Sequence, residues 1–208
     1  MNDKIDIELT EDEDLVRARA WWKENGSSII AGIAIGVVMV VGYNYWQTYQ
    51  ENRANEVAQL YEAYVQAPNG EVALNALIDA NAGSTYAQLA RMTAARKAAD
   101  EKQHDRAVVL LKEVLASGTD SGMKAVAALR LATVYLSQDK PDEAIQLLDS
   151  QAKSALPLQQ ARSAEIKADA YLQKGDSAQA RAFYQSSVDA LTVAGQPSTL
   201  VQLKLDNI

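Results

Sequence analysis

One pattern recurs four times between residues 61 and 184, and it restricts most of this chain to a single kind of fold. Aligning Tyr61, Ala95, Ala132 and Ala168 brings three further columns into register. Three residues on stand Tyr64, Ala98, Tyr135 and Tyr171. Nine beyond those stand Ala73, Ala107, Ala144 and Ala180, and four further stand Leu77, Leu111, Leu148 and Tyr184. Each nine-residue gap holds a helix breaker: Pro68-Asn69-Gly70, Gln103-His104-Asp105, Asp139-Lys140-Pro141 and Lys174-Gly175-Asp176. Each unit is therefore two helices joined by a tight turn. Gly83-Ser84, the run from Ser117 to Gly122, and Leu156-Pro157 stop one unit and start the next. A lone hairpin cannot bury its apolar face, whereas stacked hairpins bury a continuous core. Small residues at the closest crossings let backbones approach, and the Tyr and Leu columns fill the space around them. Pro141 suits a first helical turn, and Asp142 with Glu143 complements the positive end of the helix dipole. The segment STLVQLKL, residues 198–205, is expected to close the stack as a capping helix.

Ahead of the repeats lies IIAGIAIGVVMVVGYNYW, residues 29–46, within an uncharged run from Asn25 to Gln50. At about 1.5 Å per residue these positions cover roughly 27 Å, close to the roughly 30 Å hydrocarbon thickness of a bilayer. A helix also pairs every backbone donor and acceptor internally, as hydrocarbon demands. Trp21 and Trp22 precede the run, and Tyr43, Tyr45 and Trp46 close it, so amphipathic rings fall at both headgroup layers. A cleaved signal peptide opens on a short basic region. Here Asp3, Asp6, Glu8, Glu11, Asp12, Glu13 and Asp14 come first, which favours a retained anchor. Arg17, Arg19 and Lys23 lie just before the span, while Arg53 is alone after it until Arg91. The positive-inside bias then places the amino terminus in the cytoplasm and exports the remainder. Residues 1–26 are expected to form an acidic cytoplasmic head, mobile to residue 14 and surface-lying from Leu15 to Asn25. Gly26-Ser27 marks a turn, residues 27–47 span the membrane, and residues 48–208 form the exported repeat domain. Gly32 and Gly36 form a GxxxG pair through which two membrane helices could approach.

The chain has 208 residues and a formal net charge of −7, with 20 Lys and Arg against 27 Asp and Glu. No basic surface points to nucleic acid. Cysteine is absent, which removes disulfides, thiol nucleophiles and thiolate metal sites together. His104, the only histidine, falls in an inter-helix turn and is expected to be a solvated turn residue rather than a ligand. No GxSxG, GxGxxG or phosphate-loop pattern frames a reactive group, so neither catalysis nor a cofactor is expected.

LRLATVYLSQDKPDEAIQLL, residues 129–148, and IKADAYLQKGDSAQARAFY, residues 166–184, resemble the tetratricopeptide repeat. The resemblance implies a tetratricopeptide-like right-handed helical solenoid, so that with the amino-terminal transmembrane helix already read the whole chain is expected to be all-α. Val57, Arg91, Ala128 and Ala164 stand where that family carries an aromatic residue in its first helix. With WWKENG, the glycine-rich anchor, STYAQLARM at residues 84–92 and the closing LKLDNI, the chain is similar nearly end to end to the ancillary SecYEG translocon subunit family. That likeness implies a single-pass bacterial inner-membrane protein with a periplasmic repeat domain. Its implied partners are SecYEG, the membrane-anchored chaperone PpiD, emerging secretory proteins and membrane lipids, with self-association left open. In stacked repeats the first helix of each hairpin lines a binding groove. By analogy those positions here are Met92, Arg96, Val126, Leu129, Thr133, Leu136, Arg162, Glu165, Asp169 and Leu172. The competing readings are an envelope scaffold that self-assembles through its repeats and an exported enzyme.

Overall fold

The computed structural model describes residues 3–66, 70–151 and 156–208, with side chains from Leu15 onward. It divides into two compact units, Met1–Asn55 and Glu56–Ile208. Among the described residues every regular element is a helix.

The first unit belongs to α1 (Asp3–Gln66). Its apolar stretch is exposed all round, with Val38, for example, 70% accessible. A helix that is apolar on every face is stable only in a core or in lipid, and among the described residues only 6% of this apolar stretch is buried. Here the structure departs from expectation in two places. The helix already begins at Asp3, where carboxylates near a helix start favour the dipole, so the acidic head is helical. It also runs unbroken through Gly26 and Ser27, where a turn was expected. One glycine costs a helix only about 1 kcal/mol relative to alanine, less than abandoning the hydrogen bonds on either side of it. Two local contacts assist: Asn25 Nδ2 donates to the Trp21 carbonyl at 3.0 Å, and the Trp22 indole lies against the Gly26 backbone. At the far end the Tyr43 and Trp46 rings sit 6.2 Å apart.

The second unit begins in the last turns of α1, where Val57 and Tyr64 are buried with Leu74 and Leu77 of α2 (Glu71–Ala80). Then follow α3 (Thr85–Asp100), α4 (His104–Ser117), α5 (Ser121–Ser137), α6 (Pro141–Gln151), α7 (Pro157–Gln173), α8 (Ser177–Val193) and α9 (Thr199–Asp206). Each helix from α2 onward packs against the next in sequence. In addition α3 meets α5 and α5 meets α7, the pattern of stacked hairpins. The Ala107, Ala144 and Ala180 column is sealed from solvent, as are Leu77, Leu111, Leu148 and Tyr184 beside it. Pro68 and Asn69 of the first expected turn lie outside the described residues.

The other turns share one construction. Lys102, Asp139 and Gly175 take positive φ values of 61°, 58° and 77°, and the next residue returns an N–H five residues back, to Ala98, Tyr135 and Tyr171. This closes the free carbonyls at each first-helix end, and the acceptor always comes from the Tyr64 column. New helices start on Ser84 and Asp120, whose side chains accept from the Ala87 and Met123 N–H groups. His104 is not in the turn proper. It opens α4, half-buried, with Nδ1 bonded to nothing among the described residues. Arg91, in place of the family's aromatic residue, binds Glu113 at 3.0 Å and the Ala82 carbonyl at 2.7 Å, which pins the α2–α3 loop.

Ala144→Leu and Ala180→Leu should each destabilise the repeat domain by about 1–3 kcal/mol, because neither site has room for three added carbons. Thermal unfolding of the full chain in detergent measures this. Unchanged melting for both would mean that the packing register is wrong.

Candidate protein-binding groove

The first helices of successive hairpins, α3, α5 and α7, line a cleft of about 310 Å³. Its walls carry Arg96 and Asp100 from α3, Arg130 and Thr133 from α5, and Arg162 from α7, over Ala95, Ala99, Leu111 and Val134. Of the groove positions expected from sequence, Arg96, Thr133 and Arg162 thus meet in one place. A smaller cleft between α5, α6 and α7 includes Leu129 with Leu148, Gln151 and Gln159. Val126, Leu129, Leu136 and Leu172 are half-buried against the core clusters, so they give the groove apolar edges rather than free side chains.

Three expected positions are placed otherwise. Met92 is only 5% exposed, because the helix turns it into the core beside Ala95 and Leu131. Glu165 and Asp169 do not line this cleft and are already bonded within the chain. Lys204 of α9 reaches Glu165 at 2.9 Å and both oxygens of Asp169 at 2.9 and 3.0 Å. Arg162 holds the other Glu165 oxygen, and the Tyr184 hydroxyl donates to Asp169. Burial alone would raise the Glu165 pKa, but hydrogen bonds from Lys204 and Arg162 outweigh it and hold the carboxyl below its ordinary value. Burial, reinforced by the Asp169 carboxylate, pushes the Tyr184 hydroxyl upward. This cluster therefore closes the stack, binding α9 to α7 and α8.

Sequence reasoning missed Arg130 and Lys204. Arg130 stands four residues after Val126 and three before Thr133, so helical spacing alone could have placed it on the same face. Lys204 is the sole cation of the closing segment, opposite two carboxylates at i, i+4 spacing, a weaker signal that needed the packing of α9.

The profile of the tetratricopeptide repeat-like domain matches residues 19–208. A protein of Aggregatibacter actinomycetemcomitans named "Ancillary SecYEG translocon subunit" is 30% identical over 207 residues, covering 96% of this chain and 98% of its own length. The chain belongs to the ancillary SecYEG translocon subunit family. Other members carrying that name show the same reach. The Escherichia coli (strain K12) protein is 27% identical over 209 residues, covering 98% of this chain and 99% of its own. The Haemophilus influenzae protein is 24% identical over 205 residues, covering 96% and 98%. Among solved structures, the crystal structure of MamA protein superposes with a TM-score of 0.53 at 18% identity, over 68% of this chain and 76% of that one. That likeness is one of fold: stacked helical hairpins. In this family member the hairpins follow an apolar helix of membrane-spanning length, and the protein is membrane-anchored.

Proposed function

We propose that this protein is a non-catalytic accessory subunit of the SecYEG translocon whose repeat groove binds other proteins. Residues 27–47 hold it in the bacterial inner membrane, with residues 1–26 in the cytoplasm and residues 48–208 in the periplasm. The groove there receives a PpiD-type chaperone or an emerging secretory chain. The observation that carries this reading is the end-to-end similarity to proteins named for that translocon, anchor and repeats included. The orientation rests on Arg17, Arg19 and Lys23 against Arg53. Gly32 and Gly36, with open space above both, are where the anchor would meet another membrane helix. The mechanism is positional: tethering beside the channel raises the effective concentration of each partner, so modest groove affinity is enough.

Membranes solubilised in mild detergent should yield the protein with SecYEG and PpiD, and a photo-cross-linker at Leu129 or Thr133 should capture PpiD or a secretory chain. A reporter active only outside the cytoplasm, fused after Ile208, should be active. Recovery with neither partner in several detergents would sink the reading and favour a self-assembling scaffold.

A further inference from the structure

Five cations of the repeat domain pair with carboxylates of other helices. Arg91 pairs with Glu113, Arg106 with Glu71, Lys167 with Asp149, Lys174 with Asp142, and Lys204 with Glu165 and Asp169. The arginines of the 310 Å³ cleft differ. Arg130 pairs with no carboxylate among the described residues, and its Nη1 donates only to the Met92 carbonyl at 3.3 Å. Arg96 lies 3.9 Å from Asp100 on its own helix, with the two side chains 76% and 73% exposed, a geometry worth little in water. Arg162 is half-exposed and shares Glu165 with Lys204. Asp100 is the one acidic residue among those lining the cleft, which leaves an excess of positive charge there on a chain that is acidic as a whole.

Resting on the protein-binding role proposed above, we infer that this cleft recognises an acidic segment of a partner protein, with Arg96, Arg130 and Arg162 holding its carboxylates. Guanidinium forks match carboxylates in a bidentate way, and three of them on the first helices of three successive hairpins form a ladder along the stack. Between them the half-buried Ala99, over the buried Ala95, Leu111 and Val134, gives the cleft an apolar floor for a small aliphatic side chain beside the acid. The occupant is thus a short Asp- or Glu-bearing stretch with an aliphatic neighbour. The chain's acidic run at residues 3–14 lies across the bilayer in the proposed topology, and the acidic residues of the repeat domain are held in its folded helices and turns, so the segment belongs to another protein.

The full chain in detergent, titrated with a labelled Glu- and Leu-rich peptide and with its Lys-for-Glu counterpart, tests this by fluorescence anisotropy. The Glu peptide should bind, more weakly as salt rises, and the Lys peptide should not. R130E and R96E should each weaken binding more than tenfold, whereas K140E, on an exposed turn, should leave it unchanged. R130Q, which keeps a donor for the Met92 carbonyl, guards against a folding artefact and should still weaken binding several-fold. Equal binding of the two peptides, or no loss with R130E and R96E, overturns the inference. So does dimerisation that these reversals abolish without any peptide binding, which would assign the cleft to a second copy. Failure of the peptide while Leu129 still cross-links to partners refutes the acidic specificity alone. Loss of those cross-links while the peptide binds refutes the functional reading instead.

Discussion

Leu77→Ala should lower the stability of the repeat domain by about 2–5 kcal/mol, the usual cost of emptying a close-packed leucine site. Leu77 is completely buried and belongs to the cluster that joins the end of α1 to α2, α3 and α4. The first hairpin is where the repeat pattern is least regular, with Tyr61 in place of a small residue, so this position tests whether the stack truly begins there. Val72, on the same helix and 81% exposed, is the control: Val72→Ala should change stability by less than about 0.5 kcal/mol. Differential scanning fluorimetry of the full chain in detergent should show a Tm lower by roughly 5–15 °C for the first variant, and almost none for the second. Equal small shifts for both would mean that α2 is not integral to the core.

Lys204→Glu should cost about 2–4 kcal/mol, somewhat below the roughly 3–5 kcal/mol of breaking a fully buried pair, because Lys204 and Asp169 are partly exposed. Glu165 is only 13% exposed and would face a third carboxylate in place of one of its two cations. The loss should fall mainly on α9, so amide exchange near Val201 and Leu205 should rise before that of α5. The wild-type network is also pH-dependent. Glu165 is held below its unfolded pKa, so its contribution is present above about pH 4.3 and is lost as pH falls through the lower folded value. Burial alone would lower the Lys204 pKa, but its bonds to Asp169 and Glu165 raise it. That contribution is complete below about pH 10.4 and is lost as pH rises through the folded value. The stability gap between wild type and Lys204→Glu should therefore narrow toward strong acid. A gap that is constant from neutral pH to pH 3 would mean that the network does not hold α9.

Helix identity, hairpin turns and the buried columns were legible because each rests on local spacing. The 3.6-residue period, breakers such as Asp139-Lys140-Pro141, and an uncharged run long enough to cross a bilayer are visible without knowing what packs where. Even so, the turn expected at Gly26 does not form, since local propensity is outweighed by helix propagation and the covering Trp22 ring. The groove was legible only in outline. Spacing selects the helix face that bears Arg96, Thr133 and Arg162, but Met92 lies at the margin of that face, and a small rotation about the helix axis decides between groove and core.

The amino-acid sequence by itself determined that this protein has one anchor followed by stacked helical hairpins, because burying one apolar stripe per helix leaves few other solutions. Only the tertiary structure decided which groove charges remain free. Lys204 meets Asp169 across 35 residues and Arg130 meets the Met92 carbonyl across 38, separations at which no local pattern says which cation finds which partner.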